Sequence, residues 1–155
     1  MPKQVMDRRA ADNPYLHKDF HSALNCGIVY LHQHFGEQAV RDYLREFTLH
    51  WHAPLRQRLV AAGLGALRQY FETLYGVEGA AVRFEQTADE LVVQVDACPA
   101  VMHMRARGET VSPLFSETTR TVNEALCEDT DYAAELVAYE PQTGRSIQRF
   151  RRRSP

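Results

Sequence analysis

The stretch of this chain richest in chemistry is Asp96-Ala97-Cys98-Pro99-Ala100, with His103 shortly after it. The β-branched run before it reads as a strand that ends there. Pro99 suits the first position of a helix, because its fixed φ is already helical and its missing N–H would have no helical partner. Cys98 is then expected at the helix cap. A thiol there meets unpartnered backbone N–H groups and the positive end of the helix dipole, which favour thiolate and hence nucleophilic attack or metal ligation. His103 is the candidate base or additional ligand, although residues five apart on an ideal helix do not share a face. The competing reading is a buried cysteine that packs as a small apolar group.

Histidine spacing is the second signal. His17 and His21 are one helical turn apart, and His32 lies eleven residues beyond His21, close to three turns. All three are expected on one side of a helix at the margin of its apolar stripe. Imidazoles at i and i+4 can chelate a divalent metal, and a group such as Cys98 would complete a site with one open position. The competing reading is ordinary surface histidines. His50 and His52 flank Trp51 near the expected end of a helix, where a cationic imidazole meets the negative end of the dipole. Asp19, Glu117 and Arg120 are supporting polar groups or solvated helix residues. Cys127 precedes Glu128-Asp129, whose charges discourage thiolate, so it reads as structural. The sequence has no Gly-rich phosphate loop, no GxSxG and no paired CxxC, the usual signals of nucleotide-dependent enzymes, serine hydrolases and zinc ribbons.

The elements that must position these groups follow from periodicity. Leu16, Phe20, Ala23, Leu24, Gly27 and Leu31 recur at three- and four-residue steps, which makes one helical face ending at Phe35-Gly36. A second helix is expected from Glu37 to Trp51, with Val40, Tyr43, Leu44, Phe47 and Trp51 inside and Arg41, Arg45 and Thr48 outside. Pro54 opens a third, which Gly63 and Gly65 weaken or split before Leu64, Leu67, Phe71 and Leu74 resume the stripe. The period then changes to two. Val82 to Gln86 and Leu91 to Val95 form a hairpin turning near Ala88-Asp89, a helix starts at Ser112-Pro113, and Tyr132 to Tyr139 pairs with Ile147 to Phe150 across Pro141-Gln142-Thr143-Gly144. The expected fold is α+β, with N-terminal helices packed on an antiparallel sheet of two β-hairpins separated by a helix. A flexible tail at 1–13, one domain over 14–150 and a solvated basic tail at 151–155 complete the organisation.

With 155 residues the chain has the length of one domain, and its charge of −2 gives no electrostatic case for nucleic acid. No apolar run reaches the roughly 18 residues of a membrane span. Three widely spaced cysteines and the lack of a signal-peptide pattern point to a reducing cytoplasm. Homo-oligomerisation is expected on general grounds, because two-fold dimers are the commonest soluble assemblies.

The C-terminal half resembles the L-2-amino-thiazoline-4-carboxylic acid hydrolase family. The residues that carry the likeness are Cys98-Pro99 with His103-Met104, the break at Gly108, Val111 to Phe115, the Asn123 to Leu126 helix, Asp131-Tyr132 and the closing Gly144 to Phe150, with weaker agreement over His34 to Ala39. Ser116 and Ser146 stand near positions where that family often has cysteine. The resemblance implies hydrolysis of a C–N bond in a small cyclic amidine; the residues singled out above would then serve with Cys98 as nucleophile or ligand, His103 as base, and His17, His21 and His32 as metal or acid–base groups. A likeness in the order of elements to four-vinyl reductase-like domains implies instead a small-ligand or metal-binding module without turnover, and a structural partner protein is the third possibility.

Overall fold

The computed structural model describes residues 14–154, with side chains from Asp19 onward. The expected tail at 1–13 and the side chain of His17 lie outside the described residues. The order is α1 (Pro14–Phe35), α2 (Glu37–Trp51), α3 (Ala53–Ala62), α4 (Leu64–Glu78), β1 (Val82–Gln86), β2 (Glu90–Val95), α5 (Pro99–Ala106), α6 (Glu117–Leu126), β3 (Tyr132–Glu140) and β4 (Arg145–Arg152). The fold is α+β, and the two hairpins join into one antiparallel sheet of order β1-β2-β4-β3.

The sheet buries one face. Leu91, Val93 and Val95 alternate inward on β2, and across the ladder they meet Phe150, Gln148 and Ser146 of β4. The other face carries charge, with Arg149 lying 3.5 Å from Glu90 and 3.6 Å from Glu135. That division is the ordinary result of period-two patterning in an antiparallel sheet. The apolar interior forms two clusters. One joins Leu55 and Leu59 of α3, Leu64, Leu67 and Phe71 of α4, and the sheet face; the other joins Ile28 of α1, Val40 and Leu44 of α2, and Ala100, Val101 and Met104 of α5 with Phe115. Val122 of α6 packs against both.

Gly63 divides α3 from α4. Its φ of +71 belongs to the left-handed region, and a Cβ there would lie 3.0 Å from the hydroxyl of Tyr132.

Four local expectations are corrected. Phe20, Ala23 and Gly27 face solvent, whereas Asn25 and Ile28 are buried with Leu24 and Leu31 partly covered, because α1 packs against α2 and α5 along a narrower seam than its stripe suggests. On α2 the buried row is Val40, Leu44 and Thr48, and Tyr43, Phe47 and Trp51 are exposed. Thr48 is tolerated inside because its hydroxyl donates to the carbonyl of Leu44 at 2.7 Å. The helix expected at Ser112 begins at Glu117: the Ser112 hydroxyl and carbonyl accept from the N–H groups of Leu114 and Phe115, closing a turn first. The basic end is part of the sheet rather than a tail from residue 151. Arg152 pairs with Tyr132 in the β3–β4 ladder and its guanidinium lies 5.5 Å from that ring, while Arg153 donates to the Tyr132 carbonyl at 2.8 Å.

Candidate functional site

The two apolar clusters do not close completely on each other. A cavity of about 240 Å³ remains at their seam, walled by α1, α2, α4 and α6, with the cap of α5 and the inward face of β4 also lining it. Leu24, Leu44, Phe71, Leu74, Phe115, Val122 and Leu126 make most of the wall apolar. Three polar groupings interrupt it.

The first is His21 with Glu78. The histidine comes from the second turn of α1 and the carboxylate from the last residue of α4, and Nε2 lies 3.0 Å from Oε1. With the carboxylate as acceptor, the imidazole donates through Nε2. The glutamate side chain is only 10 % exposed, so this bond compensates part of its lost hydration.

The second is Cys98. It occupies the cap of α5 with extended backbone (φ −77, ψ 120), and Pro99 follows at the first helical position. The β3–β4 turn holds it there: its N–H donates to the Thr143 carbonyl at 2.8 Å, and Gly144 packs so closely that a Cβ would fall 2.5 Å from the Cys98 Cβ. The backbone N–H groups of Ala100 and Val101 favour thiolate, as expected at a cap. Burial outweighs them and, with a smaller contribution from the charge of Glu78, pushes the thiol above its ordinary pKa. Burial therefore favours the protonated thiol at this position.

The third is an amide network on the sheet face. Asn123 donates to Gln148 at 2.8 Å, and the Gln148 amide donates to the Tyr75 hydroxyl and the Ser146 hydroxyl, each at 3.2 Å. Burial raises the Tyr75 hydroxyl well above the usual phenol range, which keeps it neutral. His52 completes the polar set. Its ring meets Tyr70 edge-on at 5.6 Å, and burial lowers its pKa.

The structure therefore brings Cys98 and His21 to one cavity. His103 and His32 are not among its lining residues. His103 lies instead beside Asp19, whose carboxylate is 3.9 Å from its Nε2. His21 and His32 are separated by three turns, roughly 16 Å along the axis, far more than one ion can bridge. Among the described residues no group of three His, Cys, Asp or Glu side chains is placed to hold a metal ion. No described helix is long and apolar enough to cross a membrane.

Comparison with family models, with curated proteins and with solved structures finds no match for this chain. Among the site residues that escaped the sequence reading are Tyr70, Tyr75, Glu78, Asn123 and Gln148. Gln148 had a legible signal, because Ser146-Ile147-Gln148-Arg149-Phe150 puts two polar residues at the inward positions of β4. Glu78 had none, since its role depends on where α4 ends relative to α1.

Proposed function

We propose that this chain is a cytoplasmic module that binds a small, largely apolar molecule in the cavity at the seam of its two clusters. The observation that carries the reading is the lining itself: aromatic and aliphatic walls broken by a few convergent polar groups, the composition typical of small-molecule sites. The protonated state of Cys98 favours binding over direct thiolate chemistry. The odd number and wide spacing of Cys26, Cys98 and Cys127 support a reducing compartment. Homodimerisation belongs to the same proposal, with the exposed Phe20 and Trp51 as the surface to test by light scattering.

The test is ligand-detected NMR with a fragment library on the wild-type chain and on Leu74→Trp, which fills the cavity. Fragments should bind the first and lose their saturation-transfer signals with the second. Undiminished binding to the filled variant overturns the proposal.

A second reading, hydrolysis of a C–N bond, draws support from the presence of Cys98 and the His21–Glu78 pair in one cavity. His21 would take the thiol proton, Glu78 would balance the imidazolium, and the sulfur would add to the amidine carbon as the C=N π pair moves to nitrogen. That nitrogen, protonated by the imidazolium, would leave as an amine, and water would then cleave the carbon–sulfur bond and regenerate the thiol. Cys98→Ala should then abolish turnover of a cyclic amidine while leaving the circular dichroism spectrum unchanged, and full turnover in that variant removes this reading.

A further inference from the structure

Among the described lining residues there is one carboxylate, that of Glu78, and no lysine or arginine. The groups able to carry positive charge are two imidazoles. His21 already faces Glu78, and burial keeps His52 toward its neutral form. A carboxylate accepts at both oxygens and several lone pairs, so the single bond from His21 leaves capacity for a ligand's donors.

The surrounding surface suits a cation. His52, Tyr70, Phe71 and Tyr75 form a continuous row of rings, with successive centroids 5.6, 5.2 and 6.0 Å apart. Aromatic faces are electron-rich and attract ammonium groups more strongly as water is excluded. An anionic ligand would have the opposite experience: it would face a mostly buried carboxylate in a wall whose described residues include no lysine or arginine to offset it.

Resting on the small-molecule reading above, we propose that the cavity selects organic ammonium compounds, whose N–H groups bond the Glu78 carboxylate while their apolar bodies pack against Tyr70, Phe71 and Tyr75. A cavity of about 240 Å³ suits a compact amine.

Calorimetric titration with three probes of matched shape tests this: 2-phenylethylamine, 2-phenylethanol and 3-phenylpropionate, the ammonium, neutral and anionic members of one series. The amine should bind roughly tenfold or more tightly than the alcohol, and the carboxylate should fail to compete. Glu78→Gln should remove most of the amine's advantage over the alcohol, and a circular dichroism spectrum and melting transition matching those of the unsubstituted chain show that the variant folds. The comparison within the unsubstituted chain decides the charge preference whatever the variant does. Equal binding of the three, or a preference for the alcohol or the carboxylate, overturns the ammonium proposal and leaves the cavity reading standing. An amine preference that survives Glu78→Gln in a folded variant overturns the role of Glu78. Binding of none of the three overturns the proposal and the cavity reading together.

Discussion

Cys98 shows two opposing influences on one sulfur. Its place at the cap of α5 was legible from Pro99, and so was the pull of the helix N-terminus toward thiolate. What the sequence could not supply was the depth of the site, because the covering surface comes from the β3–β4 turn more than forty residues on, at Thr143 and Gly144. Burial prevails, so iodoacetamide at pH 7.5 should label exposed Cys26 first and Cys98 more slowly than a free peptide thiol, read by peptide mass spectrometry over time. Rapid labelling of Cys98 at pH 6.5 would show that the cap prevails instead. The same packing makes Gly144 sensitive. At φ +67, with a Cβ 2.5 Å from Cys98 and 2.9 Å from Val101, Gly144→Ala should destabilise the fold by about 2–4 kcal/mol and lower Tm by roughly 5–12 °C, measured by thermal denaturation.

A buried amide helps to fix the position of α1. Asn25, 4 % exposed, donates to the Thr110 carbonyl at 2.9 Å and accepts from the Ser112 N–H at 2.8 Å, tying the helix to the loop between α5 and α6. Removing it strands two backbone groups, so Asn25→Ala should cost about 2–4 kcal/mol in urea denaturation. Because His21 and Leu24 sit on the adjacent turn and line the cavity, ligand affinity should fall with it. An affinity unchanged in Asn25→Ala would separate the helix anchor from the site. The extent of α1 and α2 was readable from periodicity, and the bounds of α2 coincide with the expected ones. Which side they bury was not, since Tyr43 and Phe47 look like core residues by type and spacing yet stand at the cavity wall. Hydrophobic periodicity locates a stripe, whereas the partner that covers it is set by how neighbouring helices cross. The β-hairpins were more legible because alternation and turn residues are local, although β4 extends beyond the expected Ile147 to Phe150 at both ends, from Arg145 to Arg152.

Taken as one body, the protein has an interior rich in acids that are neutral at physiological pH. Burial raises the Cys127 thiol to about 12 and the Tyr139 hydroxyl to about 12, and it raises Cys98, Tyr70 and Tyr75 as well. Each of these groups binds its proton more tightly when folded than when unfolded. Their contribution to stability is complete below the unfolded pKa values, near 9 for the thiols and 10 for the phenols, and is lost as pH rises through the folded values. For Cys127 alone the loss amounts to roughly a few kcal/mol once its unfolded thiol is fully ionised. The urea midpoint should therefore hold between pH 7 and 8.5 and fall steadily toward pH 10.5. Cys127→Val replaces the thiol by a group of similar size that cannot ionise, so that variant should fall by less over the same interval. The residual decline should come from the raised tyrosines and Cys98, three of which, Cys98, Tyr70 and Tyr75, line the cavity. A ligand that covers them should accordingly shift the alkaline transition upward. If the midpoint stays level through pH 10.5, these groups are hydrated in solution and the cavity is far more open than the fold described here.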